Sequence, residues 1–175
     1  MKSSTCLLTE LDIKNAIDFF AQKIIKTLDH DHLVLLGISD TGYCLAQRLV
    51  KRLNCLTELE IPCGQLDINL FLPRQNQEKK LVSIKQSMLP CNLRDKRVVL
   101  IDSCLQTGQS IVAALNALSD YDKARCIEIA VLCDIQHYQF PIKPTYVYKQ
   151  EKINRFSSVS CQLYERDGQE GVFVS

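Results

Sequence analysis

Net charge is almost absent from this sequence: 21 Lys and Arg against 20 Asp and Glu, over 175 residues, leave +1. A general nucleic-acid binder carries a broad basic footprint, so that class is excluded unless positive groups gather in a local patch. Long apolar runs are lacking too. Nothing approaches the roughly 20 residues that cross a bilayer, and the opening MKSSTCLLTELD has no secretory apolar core. A soluble, cytoplasmic protein with no membrane partner is expected. There is no internal repeat, no low-complexity tract and no C-x-x-C pair. The nine cysteines (Cys6, Cys44, Cys55, Cys63, Cys91, Cys104, Cys126, Cys133 and Cys161) are odd in number and cannot all pair within one chain. Most stand in apolar runs such as CIEIAVLC, which predicts reduced thiols packed as small hydrophobes. Asp29-His30-Asp31-His32 is expected to be a solvated turn, and no metal is assigned to it.

What is present is an ordinary globular composition, 46% hydrophobic, and enough chain for one domain spanning residues 1–175. Thr9 suits a helix N-cap, and Ile13, Ile17, Phe20, Ile24 and Leu28 recur at helical spacing behind it. LVLLGI, Leu33 to Ile38, is short and wholly apolar, as a strand buried on both faces must be. Thr41-Gly42 is expected to break it before a second helix carrying Ala46, Leu49, Val50 and Leu53. Leu66, Ile68 and Leu70 alternate with polar residues and predict a half-buried strand. From Leu72 to about Gln86 the pattern dissolves, as in either a mobile functional loop or a disordered stretch. VVLID (Val98 to Asp102) and CIEIAVLCD read as further buried strands, with a helix through Ile111, Ala114, Leu115 and Leu118 between them. Strand-like pieces follow around Tyr146, Val159 to Leu163, and Val172 to Val174. Strands alternating with helices predict an α/β fold, a mostly parallel sheet covered on both faces.

Ligands of such sheets sit beyond the carboxyl ends of the strands. VVLIDSCLQTGQS is the informative exit, an apolar strand ending in Asp102 and a short loop opening a helix. A glycine admits an anion close to the backbone, and the free amides of a helix start attract it. Thr107 and Ser110 add hydroxyls, so Thr107 to Ser110 predicts a cradle for a phosphate monoester. Read on its own, T-G-x-S is equally a capped helix start.

That block resembles the phosphoribosyl-diphosphate (PRPP) motif of type I phosphoribosyltransferases, where an apolar strand meets two acids and a T-G-x-T/S loop. HLVLLGISDTGYCLAQRL is similar to the loop of that family that receives diphosphate, and QLDINLF to the strand before its flap. Asp134-Ile135-Gln136-His137 with FPIKPTYVYK resembles the base-side segment of the PyrR branch, pyrimidine-operon attenuation regulators that also make UMP from uracil and PRPP. The likeness is collinear from about Lys14 to the C-terminus, and it implies the type I phosphoribosyltransferase fold with a flexible flap from Leu72 to Gln86.

The resemblance implies site roles residue by residue. Asp102 and Ser103 stand at the two acid positions that hold the ribose hydroxyls. Leu105, Gln106, Thr107, Gly108, Gln109 and Ser110 form the 5′-phosphate loop, Ser39, Asp40, Thr41 and Gly42 lie beside diphosphate, and Asp134, Ile135 and Gln136 face the base, which would stack on the Ile135 side. Lys23, Lys26, His137, Lys143 and Lys149 fall near positions that touch leader RNA. Ser103 brings no charge to a cation-like transition state. Ser39-Asp40-Thr41-Gly42 replaces a Lys-Thr-Arg-Gly pattern, so the diphosphate side is expected to lack positive charge. These changes predict weak or lost catalysis and a preference for UMP over PRPP. The family implies Mg2+ accompanying PRPP, against which the loss of loop cations weighs here, and a homodimer or homotetramer. Two functions stay open: a PyrR-like uracil phosphoribosyltransferase and regulator, and a non-catalytic pyrimidine-nucleotide sensor that binds leader RNA or a protein partner.

Overall fold

The computed structural model describes residues 5–28, 32–72 and 87–175. Residues 29–31 of the expected turn at 29–32, and 73–86 of the expected flap, lie outside them. Strand β1 (Thr5–Leu8) leads into α1 (Glu10–Ile25), followed by β2 (Leu33–Ile38), α2 (Ser39–Thr57) and β3 (Cys63–Leu66). Then come β4 (Arg97–Leu105), α3 (Gln109–Leu118), β5 (Cys126–Asp134), β6 (Tyr146–Gln150), β7 (Val159–Gln162), α4 (Tyr164–Asp167) and β8 (Gly171–Val174).

Five strands form a parallel sheet in the order β3-β2-β4-β5-β6. Every residue of β2 is buried, as its unbroken apolar run requires. Alternate residues of the central strands feed two cores. Leu35, Val99, Ile101 and Leu132 pack with α1 and α2 on one face. Val34, Leu36, Val98, Leu100 and Val131 pack with α3 on the other. A second sheet, antiparallel β1-β8-β7, brings the two chain ends together. Its Leu8 and Val172 belong to the same core as α1 and α2.

Thr9 caps α1 as expected. Its hydroxyl accepts from the Asp12 amide, while Asp12 accepts from the Thr9 amide at 2.8 Å. Two expectations are corrected. Thr41-Gly42 breaks nothing: α2 begins at Ser39, directly behind β2, and Gly42 lies in its first turn. The alternation at 66–70 does not extend β3, which ends at Leu66. There the Asp67 carboxylate accepts from the Asn69 amide at 2.8 Å, a local bond that competes with a sheet ladder, and the Asp67 amide donates to Ser87 Oγ across 20 residues. Leu70 is consequently exposed.

The cysteines are all unpaired thiols, but only Cys133 is fully buried, while Cys6, Cys55 and Cys126 are exposed. Burial pushes the Cys63 thiol up to about 11 and Cys161 to about 12. Cys104, opposite Cys133 in the β4–β5 register, is also held protonated, by its contact with that thiol and by burial. Thiols in such surroundings are poor nucleophiles. Among the described residues no three His, Cys, Asp or Glu side chains converge as metal ligands. No described helix is long and apolar enough to cross a membrane.

Candidate active site at the sheet switch point

From β2 the chain passes through α2 to β3 on one side, while β4 takes the other flank of β2. The order reverses between β2 and β4, and the carboxyl ends of such a pair open a crevice. The loops predicted to carry chemistry, 39–42 and 102–110, occupy those two ends.

The α2 side is set tight against the sheet. A Cβ at Gly42 would lie 2.3 Å from the Ile101 carbonyl oxygen, so only glycine lets this turn reach the backbone of β4. Ser39 enters the helix at φ 56°, a left-handed conformation uncommon for a residue with a side chain. Strain of this kind concentrates at functional sites.

On the β4 side, the strand runs past its expected end at Asp102 to Leu105, and Asp102 and Ser103 are half-buried within it. Desolvation pushes the Asp102 carboxyl up to about 7, against a hydrogen bond from the Ser103 amide at 2.7 Å that favours the charged form. The phosphate loop follows. Gly108 caps α3 at φ 86°, and a Cβ there would also press on Ile142 at 3.1 Å. The first intrahelical bond runs from the Val112 amide to the Gly108 carbonyl, which leaves the amides of residues 109 to 111 without intrahelical partners. Gln109 donates its amide to Thr107 Oγ1 at 3.3 Å. The amides of Ser110 and Ile111, beside the half-buried Thr107 and Ser110 hydroxyls, form the anion-attracting mouth. Leu105 is different. Its side chain is buried and its carbonyl accepts from Ile135, so it holds the loop and offers no side chain to a ligand.

The base-side segment leans on the same loop, with the Gln139 amide donating to the Thr107 carbonyl and the Gln109 amide group to Gln139 Oε1. Here the sequence reading needs two corrections. Ile135 is wholly buried in the α1–α2 core, so no base can stack on it. Asp134 is also buried, and its carboxylate is taken by the loop itself: it accepts from the Gln136 amide, Tyr138 Oη at 2.6 Å and Gln150 Nε2. It anchors the segment. Burial and that bond push the Tyr138 hydroxyl up to about 12. Gln136, at φ 61°, turns the chain outward, and Gln136 and His137 are its partly exposed residues.

A cavity of about 290 Å3 opens on the α2 side, between the start of α2, the exit of β3 and α4, lined by Ser39, Asp40, Thr41, Gln65, Asp67, Asn69 and Arg166. Asp40 accepts from Gln65 Nε2 at 2.7 Å. Arg166 donates from Nη1 to Thr41 Oγ1. The 39–42 loop carries no cation of its own, but, unlike the expected wall without positive charge, this one receives Arg166 from α4. Nothing in the sequence points to Arg166, which meets Thr41 across a separation of 125 residues. Asp67, Asn69 and Gln65 were missed for a related reason, since the turn that gathers them depends on Asp67 and Ser87.

The five candidate basic residues stand on α1, on β6 and on the loop between β5 and β6. Lys23 lies over the Phe19 ring, which meets Tyr148 edge-on, beside a cavity of about 470 Å3 along β6. Lys149 donates to the Leu7 carbonyl and lies 3.8 Å from Glu151. Lys26, the C-cap of α1, and Lys143 are exposed, and His137 stands on the base-side loop.

An acid in the carboxyl-terminal half of β4, a glycine-capped helix start and a polar cavity lie at the carboxyl ends of the parallel strands, where ligands of such sheets bind. The comparisons agree. The phosphoribosyl transferase domain family matches residues 4–166, and the chain belongs to that family. Within it the chain falls in the PyrR branch. It is 34% identical over 168 residues to a Bifunctional protein PyrR of Brevibacillus brevis, covering 95% of this chain and 94% of that one. It is 38% identical over 149 residues to the Bifunctional protein PyrR of Limosilactobacillus reuteri, covering 82% of each. Solved structures share the fold at lower identity. A Staphylococcus aureus hypoxanthine phosphoribosyltransferase superimposes with TM-score 0.69 at 21% identity, covering 95% of this chain and 89% of that one. A Bacillus anthracis hypoxanthine-guanine phosphoribosyltransferase gives 0.71 at 11%, covering 98% and 95%.

Proposed function

We propose that this protein transfers the phosphoribosyl group of PRPP to uracil, giving UMP and diphosphate, and that it regulates pyrimidine gene expression by binding leader RNA. The observation that carries the reading is the end-to-end relationship to Bifunctional protein PyrR sequences, joined to a loop after β4 built for a phosphate monoester.

In this reading the 5′-phosphate lies on the Ser110 and Ile111 amides and the Thr107 hydroxyl. The charged form of Asp102 accepts from a ribose hydroxyl and faces the positive charge that develops on the sugar, with Ser103 adding a neutral hydrogen bond. Diphosphate leaves toward Ser39 to Gly42, and uracil rests against the Gln136–His137 turn. Magnesium travels with PRPP, most of its ligands being diphosphate oxygens and water, so one or two carboxylates suffice to hold it. Asp40 and Asp67 on the cavity wall fit that demand, and the ion would neutralise the departing charge.

Turnover is slow because Ser103 occupies the position of a second acid. Losing one such electrostatic group costs about 100- to 1,000-fold in rate. UMP formation from uracil, PRPP and magnesium is expected to be detectable, and Ser103→Asp to raise it about 10-fold or more. Failure of the wild type to bind either UMP or PRPP in calorimetry would end this reading.

A further inference from the structure

The loop that opens α2 carries an acid and no cation, yet a guanidinium stands on it. Arg166 belongs to α4, a short helix between β7 and β8 in the small antiparallel sheet, and its Nη1 donates to Thr41 Oγ1. It lines the cavity together with Asp40 and Asp67. We infer that Arg166 is a specificity-determining residue, the positive group that lets this cavity accept a magnesium-bound diphosphate. The inference rests on the proposed phosphoribosyl transfer.

The placement is braced. Arg48 of α2 donates from Nε and Nη2 to Glu165, the neighbour of Arg166, at 2.8 and 2.7 Å. It also donates from Nη1 and Nη2 to Glu170, just before β8, at 2.6 and 2.8 Å. Forked pairs of this kind fix orientation as well as distance. They hold α4 against α2, on whose first turn Thr41 lies. The hydroxyl of Thr41 takes up a single guanidinium N–H, which leaves a planar fork able to meet phosphate oxygens. The carboxylates on the same wall suit the metal face of the ligand, and the guanidinium its anionic face. A cavity with acids and one arginine selects a metal–diphosphate pair over a bare anion.

Isothermal titration separates this from the reading it rests on. Arg166→Ala should weaken Mg-PRPP and Mg-diphosphate binding about 10- to 100-fold, the worth of a charged hydrogen bond. It should leave UMP affinity unchanged, because UMP carries no group to this cavity. Arg166→Lys, which keeps charge and loses the fork, should fall between. Thr41→Val, which leaves α4 intact and frees the guanidinium, should weaken the same two ligands and spare UMP. Equal losses for UMP and Mg-PRPP in Arg166→Ala would make the arginine merely structural and overturn the inference, as would no loss for either. A wild-type protein that binds neither ligand would remove the proposed function, and the inference with it.

Discussion

Asp102 is the residue at which fold and chemistry compete. Its carboxyl is pushed up to about 7 from an ordinary 3.8, so the folded chain holds that proton more tightly than the unfolded one. The stability gained this way is complete below about 3.8 and is lost as pH rises through about 7. Asp102→Asn abolishes the dependence. Allowing for water at the site mouth, the wild type should lose about 2 kcal/mol relative to the variant between about pH 5 and pH 8, read by urea unfolding at each pH. Parallel curves for the two proteins would show that the site does not desolvate this acid. The charged form is thus held at a cost in stability near neutral pH. Gly108 was legible beforehand from the T-G-x-S spacing, because a chain turning from strand to helix at φ 86° admits little else. Ile135 and Asp134 were not. A motif position tells which residue stands there, whereas its burial depends on packing from α1 and on the Tyr138 hydroxyl.

At the scale of elements, the sheet separates a functional edge from a structural one. Its amino-terminal edge is closed by Arg97, only 4% exposed, which donates to the Thr27 carbonyl and hydroxyl, Glu128 Oε2 and Tyr146 Oη. This one side chain joins the end of α1 to β4, β5 and β6. Removing one partner of a buried charged network leaves the others unpaired, so Arg97→Met should cost about 3–5 kcal/mol in urea unfolding. A loss under about 1 kcal/mol would mean that water satisfies the cluster. The Arg48 bridges act at the opposite edge. Arg48→Ala should loosen α4 and weaken Mg-PRPP binding less than Arg166→Ala does, since the arginine is then misplaced but still present. The strands and helices themselves were largely legible: β2, β4 and β5 from their apolar runs, α1 from its cap and spacing. Beyond Leu66 the alternation misled, because an Asx turn at Asp67 imitates the period of a strand.

Across the whole molecule, two sheets share the work. The parallel sheet sets out the Thr107–Ser110 loop, Asp102 and the α2 loop at its switch point, all inferable from the order of strands and loops. The antiparallel sheet, formed by the two chain ends, brings α4 and its arginine to a loop whose sequence suggests it has none. Such contacts lie beyond local patterning, since nothing in a short window encodes them. This is why the wall at 39–42 read as stripped of charge from the sequence alone. The account rests most heavily on the phosphate loop, and a crystal structure of the protein with UMP tests it directly. The 5′-phosphate is predicted on the amides of Ser110 and Ile111 and the hydroxyl of Thr107, with Asp102 on a ribose hydroxyl. A phosphate found elsewhere, with those amides facing solvent or protein, would contradict it.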